Sequence, residues 1–125
     1  MTLTEAARSA YARPETPARS ARGLEYDLLA RVTQQLSRGW AGRKRDFPSL
    51  ARALAENRRL WSTLAADVAE PGNGLPAPLR AQLFYLYEFA EAHSRAVLDG
   101  RASVEVLIDI NTAVMRGLRG EGAPA

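Results

Sequence analysis

The chain has no cysteine and only one histidine, His93, in 125 residues. Without cysteine there are no disulfides, no thiolate metal ligands and no thiol nucleophile, a composition that suits a reducing compartment. One imidazole is too few for a transition-metal site. No Glu-x-x-His pair is present for a di-iron helical bundle. The carboxylate pairs Glu88/Glu91 and Glu105/Asp109 have the spacing of solvated helix surfaces. The glycines of GNGLP lack the Lys-Ser/Thr end of a phosphate-binding loop. No apolar run approaches the ~20 residues of a membrane helix. The first residues, MTLTEAARSAYARPE, show no basic stretch followed by an apolar one, so no secretory signal is expected. No segment alternates apolar and polar residues over a strand's length, and no fixed-period repeat occurs. Together these absences predict a cytoplasmic protein without strands, membrane insertion, metal or cofactor, and without catalytic activity.

What is present fits a folded domain. Apolar residues make up 46% and charged residues 25%, the balance of soluble globular proteins. The length suits one domain spanning residues 1–125. The net charge of +3 is unevenly spread. Residues 1–60 hold twelve Arg or Lys against six Asp or Glu, and residues 61–125 hold five against eight. All the cations but Lys44 are arginines. A basic half can attract nucleic acid or an acidic partner, although arginines at near-helical intervals also describe a solvated helix face.

The punctuation predicts an all-α fold: a small antiparallel bundle of four longer helices plus a short N-terminal one. The short helix covers Leu3 to Ala12 within a docking segment 1–15. Thr2 and Glu5 form its capping box, and Pro14 and Pro17 end it. The next runs from about Pro17 to Arg38, with Leu24, Leu28, Leu29, Val32, Gln35 and Leu36 on its core face and Gly39 and Gly42 as the stop. A third spans Phe47 to Ala69, capped by Asp46, with Leu50, Leu54, Asn57, Trp61, Leu64, Ala65 and Val68 on one face. Pro71 to Gly74 break the chain. The fourth runs from about Pro76 to Leu98, with Leu79, Leu83, Leu86, Tyr87, Ala90, Ser94 and Val97 as its stripe and Gly100 just past its end. The fifth runs from about Ser103, its expected N-cap, to Leu118, with Val104, Leu107, Ile108, Asn111, Val114 and Met115 inward. Residues 119–125 form a frayed tail.

Three groups of residues stand out. Asn57 and Asn111 interrupt apolar stripes; a buried amide must find partners or cost about 1–3 kcal/mol. They either fix helix register and bond a loop, or touch a ligand. His93, within a packed helix, reads as a structural hydrogen-bonding group or, less simply, as a base. The run FYLYEF carries more apolar surface than one helix of a small bundle can bury. Phe84, Tyr85 and Phe89 are therefore candidates either for core or for a groove that receives a partner helix. Tyr11 is a further candidate contact. Arg43, Lys44 and Arg45 form a candidate basic patch.

These stretches resemble the FlaF family, flagellar biosynthesis regulators of alphaproteobacteria. The resemblance runs from AYAR at Tyr11 through E-x-x-L-L at Glu25–Leu29, V-T-x-x-L at Val32–Leu36 and LAENRRLWSTLAADVA. It is most specific in LPAPLRAQLFYLYEFAEAHSRAVL and VLIDINTAVMRGL. It implies a role in flagellin synthesis and export, a chaperone-like contact with flagellin, action opposite the translational repressor FlbT, and no catalytic residues. Three readings follow, in this order: a flagellin-binding chaperone or regulator, an RNA-binding regulator of flagellin mRNA, and a homodimeric scaffold.

Overall fold

A computed structural model describes residues 16–118, and the side chains of residues 26–117. It is all-helical over this range: α1 (Thr16–Ala41), α2 (Phe47–Ala69), α3 (Ala77–Leu98) and α4 (Glu105–Leu118). The expected helix at Leu3–Ala12 and the tail at 119–125 lie outside the described residues. α1 packs on α2 and α4, α2 packs on α3, and α3 meets α4 along little of its length.

Each turn has a local cause. Asp46 caps α2: its Oδ1 accepts the Ser49 amide at 3.2 Å and its Oδ2 accepts the Ser49 hydroxyl at 2.6 Å. Those bonds favour the ionised carboxylate and hold Asp46 below its ordinary pKa. Between α2 and α3, Asn73 donates through Nδ2 to the Asp67 carbonyl at 3.1 Å and accepts the Leu75 amide at 3.2 Å. Gly100, at φ +74°, makes the left-handed turn after α3. The Ser103 hydroxyl accepts the Glu105 amide at the start of α4.

α1 runs on to Ala41, three residues beyond the Arg38 boundary expected from glycine. Gly39 does not stop the helix. A Cβ there would lie 2.9 Å from the Leu50 Cα, so glycine lets the end of α1 lie directly against the start of α2. Gly42 makes the turn, its carbonyl accepting the amides of Arg45 and Asp46.

The core is built from Leu29, Val32 and Leu36 of α1, Leu50, Leu54, Trp61 and Val68 of α2, and Leu79, Leu83, Leu86, Ala90 and Val97 of α3. Val104, Leu107, Ile110 and Val114 complete it from the α4 side. Burying this apolar surface, at about 25 cal/mol per Å², is the main force holding the four helices. Several expectations are corrected. Gln35 is exposed, Leu28, Leu64 and Tyr87 are half-buried, and α4 is turned so that Ile110 and Ala113 go inward while Ile108 and Met115 are only half-buried. The side chain of Leu24, also expected inward, lies outside the described residues.

Candidate functional site

Two very different assemblies involve the residues singled out from the sequence. The first lies at the centre. Asn57 and Asn111 are fully buried and bond each other: Asn111 Nδ2 donates to Asn57 Oδ1 at 2.8 Å and to the Thr33 hydroxyl at 3.1 Å. Thr33 in turn donates to the Leu29 carbonyl at 2.6 Å. Trp61 Nε1 donates to Asn111 Oδ1 at 2.9 Å. Asn111 thereby ties α4 to both α1 and α2.

The orientation of both amides follows from chemistry. An indole N–H can only donate, so the Asn111 oxygen must face Trp61 and its nitrogen must face Asn57 and Thr33. Asn57 then has to present its oxygen. Its own Nδ2 is left buried with no hydrogen-bond partner among the described residues. Thr33 and Trp61 were not recognised as members of this network. A tryptophan in a core stripe four residues from the buried Asn57 is the signal that could have found it, because a buried indole N–H needs an acceptor.

The second assembly lies on α3. At 100° per residue, Phe84 and Phe89 flank the buried arc of the helix on opposite sides, and Tyr85 points away from it. Phe89 falls on the α4 side, half-buried against the core and stacked on His93 with centroids 5.5 Å apart. His93 Nε2 lies 2.8 Å from the Ser103 carbonyl. A carbonyl only accepts, so Nε2 carries the proton, and the imidazole pins the end of α3 to the approach to α4. Phe89 and His93 are thus brought together on the side of α3 away from Phe84, with Tyr85, four residues before Phe89, nearer to them than to Leu98.

Phe84 remains 39% exposed and Tyr85 61% exposed. Phe84 is braced edge-on by Tyr87, with centroids 5.5 Å apart. On its side of α3, at seven-residue intervals, follow Glu91 and the exposed Leu98. Glu91 receives a two-pronged contact from Arg58 of α2, Nε to Oε1 at 3.1 Å and Nη2 to Oε2 at 3.0 Å. The edge where α3 meets α2 thus carries the Phe84 ring and Leu98 beside the Arg58–Glu91 ion pair, while Tyr85 points outward, 100° around the helix from Phe84. It offers amphipathic area with one ring, Phe84, held in place by its neighbour Tyr87.

The basic run is less free than its sequence implies. Arg43 folds back, donating to the Trp40 carbonyl at 2.8 Å with its guanidinium 3.8 Å from the Trp40 ring centroid. Lys44 and Arg45 point outward. Tyr11 lies outside the described residues. Among the described residues, no group of three or more His, Cys, Asp or Glu side chains could hold a metal ion. None of the described helices is long and apolar enough to cross a membrane.

A family model, Flagellar protein FlaF, matches residues 7–118. That range contains the whole α1–α4 scaffold and every site residue named above. No curated protein and no solved structure matches the chain.

Proposed function

The chain belongs to the FlaF family of flagellar proteins, and we propose that it supports flagellin synthesis and export by binding flagellin as a chaperone-like factor in the cytoplasm. It acts by binding, not as an enzyme. The observation that carries this reading is the pair Phe84 and Tyr85, left 39% and 61% exposed on a helix whose other apolar residues are largely buried. An amphipathic helix of the partner would lay its apolar face across the outward side of α3, over these two rings. Aromatic anchors of this kind dominate the energy of such contacts. The bracing of Phe84 by Tyr87 lowers the entropy lost when the partner docks.

The alternative, contact with flagellin mRNA through Arg43, Lys44 and Arg45, has thinner support. Arg43 is already engaged with Trp40, and the exposed Phe47 beside the run is separated from it by Asp46, whose carboxylate would repel phosphate. Size-exclusion chromatography of the protein mixed with monomeric flagellin tests the proposal. Co-elution at micromolar concentration is expected, and it should be lost in the Phe84→Ser/Tyr85→Ser variant. Separate elution of two well-folded proteins would rule out direct binding.

A further inference from the structure

A groove of about 880 Å³ runs between α1 and α2 on their solvent side, away from the aromatic face of α3. Its walls carry Arg31 and Arg38 from α1 and Arg52 and Arg59 from α2, against two acids, Asp46 and Glu56. The register of the two helices follows from the close approach of Gly39 to Leu50 and from Thr33 and Asn57 sharing Asn111. The helices run antiparallel, and the same register sets Arg38 level with Arg52 and Arg31 level with Arg59. Like charges therefore face each other across the groove at both ends, an arrangement that costs stability in the isolated protein. Arg59 has a partner in Glu56 at 3.2 Å. Asp46 lies near Arg52 but is already engaged as the α2 cap. Arg31 and Arg38 have no carboxylate within ion-pair distance among the described residues.

We propose that this groove is a second docking site, and that its occupant is an acidic helical segment of a protein partner. The arginines on each wall are seven residues apart, two helical turns or about 10 Å, which matches carboxylates seven residues apart on a partner helix. Guanidinium groups bind carboxylates in two-pronged fashion. The floor between the charged rims is small and apolar, with Val32, Gly39 and Ala53, so a helix can approach closely. A nucleic acid fits less well: the lining has no aromatic ring to stack a base, and Asp46 and Glu56 would repel phosphate. The site stands apart from the flagellin reading and does not depend on it.

Fluorescence anisotropy on the full-length protein tests the proposal. The probes are a labelled alanine-based helical peptide with glutamates seven residues apart, the same peptide with glutamines, and an oligouridine of equal charge. The acidic peptide should bind, more weakly as salt rises, and more tightly than the other two. Arg31→Gln/Arg38→Gln should weaken its binding about tenfold, as expected for the loss of two ion pairs. Lys44→Gln/Arg45→Gln should change it by less than about twofold. The groove variant should also keep or raise its melting temperature, because facing like charges have been removed. Tighter binding of oligouridine, equal losses in the two variants, a lowered melting temperature of the groove variant, or no binding of the acidic peptide would each overturn the proposal.

Discussion

The junction of α1, α2 and α4 and the outer side of α3 solve opposite problems. At the junction, four side chains from three helices meet in a directional network. Trp61, Asn111, Asn57 and Thr33 each have one allowed orientation. α3 is held mainly by apolar burial, one ion pair to α2 and one imidazole contact near its end. Apolar contacts are tolerant of small shifts, whereas a buried hydrogen-bond network is not. The difference separates a part of the molecule that fixes the register of the fold from a part free to carry exposed aromatic rings. Polar groups buried in a core cost stability unless fully paired.

The sharpest way to break this contrast is Asn111→Leu. It would strand the Trp61 N–H and the Asn57 oxygen in the core, and each stranded group costs about 1–3 kcal/mol. We expect a loss of about 3–5 kcal/mol in urea unfolding, a large share of a domain's total stability. A loss below about 1 kcal/mol would show that the network does not hold the junction. Gly39→Ala comes next. Its Cβ would meet Leu50 backbone at 2.9 Å, so the helices must separate, at a cost of about 1–3 kcal/mol in place of the usual gain from replacing a helical glycine. A raised melting temperature would refute the close-approach role.

On the α3 side the effects should be smaller. Phe84→Ser/Tyr85→Ser should cost about 1 kcal/mol of stability, because the Phe84 ring is partly buried and packed on Tyr87, while abolishing partner binding. Glu91→Gln weakens the two-pronged contact with Arg58, whose side chains are 21% and 39% exposed respectively. After solvent screening we expect about 0.5–1 kcal/mol, smaller still in high salt. The smallest effect concerns pH. Because folding lowers the Asp46 pKa below 3.8, its contribution is present above that value and lost as pH falls through the lower folded-state value. Asp46→Asn should therefore lower the melting temperature slightly at neutral pH and leave it nearly unchanged at low pH, which flattens the acid side of the profile.

Much of the scaffold was legible in the sequence because Pro71–Gly74 and Gly100 act through the backbone alone, and because the α3 stripe from Leu79 to Val97 has a single clear periodicity. The inner face of α4 was harder. Val106, Ile108, Ile110 and Met115 put apolar groups on several sides of a 14-residue helix, so periodicity alone allows more than one face. Asn111 resolves this, since its amide must point at Trp61, fifty residues away in sequence. Gly39 was misread because a glycine near a helix end looks the same whether it ends the helix or admits a neighbour. Phe84 and Phe89 are symmetric about the buried arc of α3. Only the position of His93 and Ser103 on one side decides which ring is covered. The facing arginines of α1 and α2 depend on a helix register that no local pattern contains.

The central claim is that flagellin docks on the outer side of α3. Placing the photo-crosslinking residue p-benzoylphenylalanine at Tyr85, and separately at the exposed Ala66 of α2, tests it directly in the presence of monomeric flagellin. Tyr85 should give a strong crosslink to flagellin and Ala66 little or none. Equal crosslinking at the two positions, or none at Tyr85, would contradict the assignment.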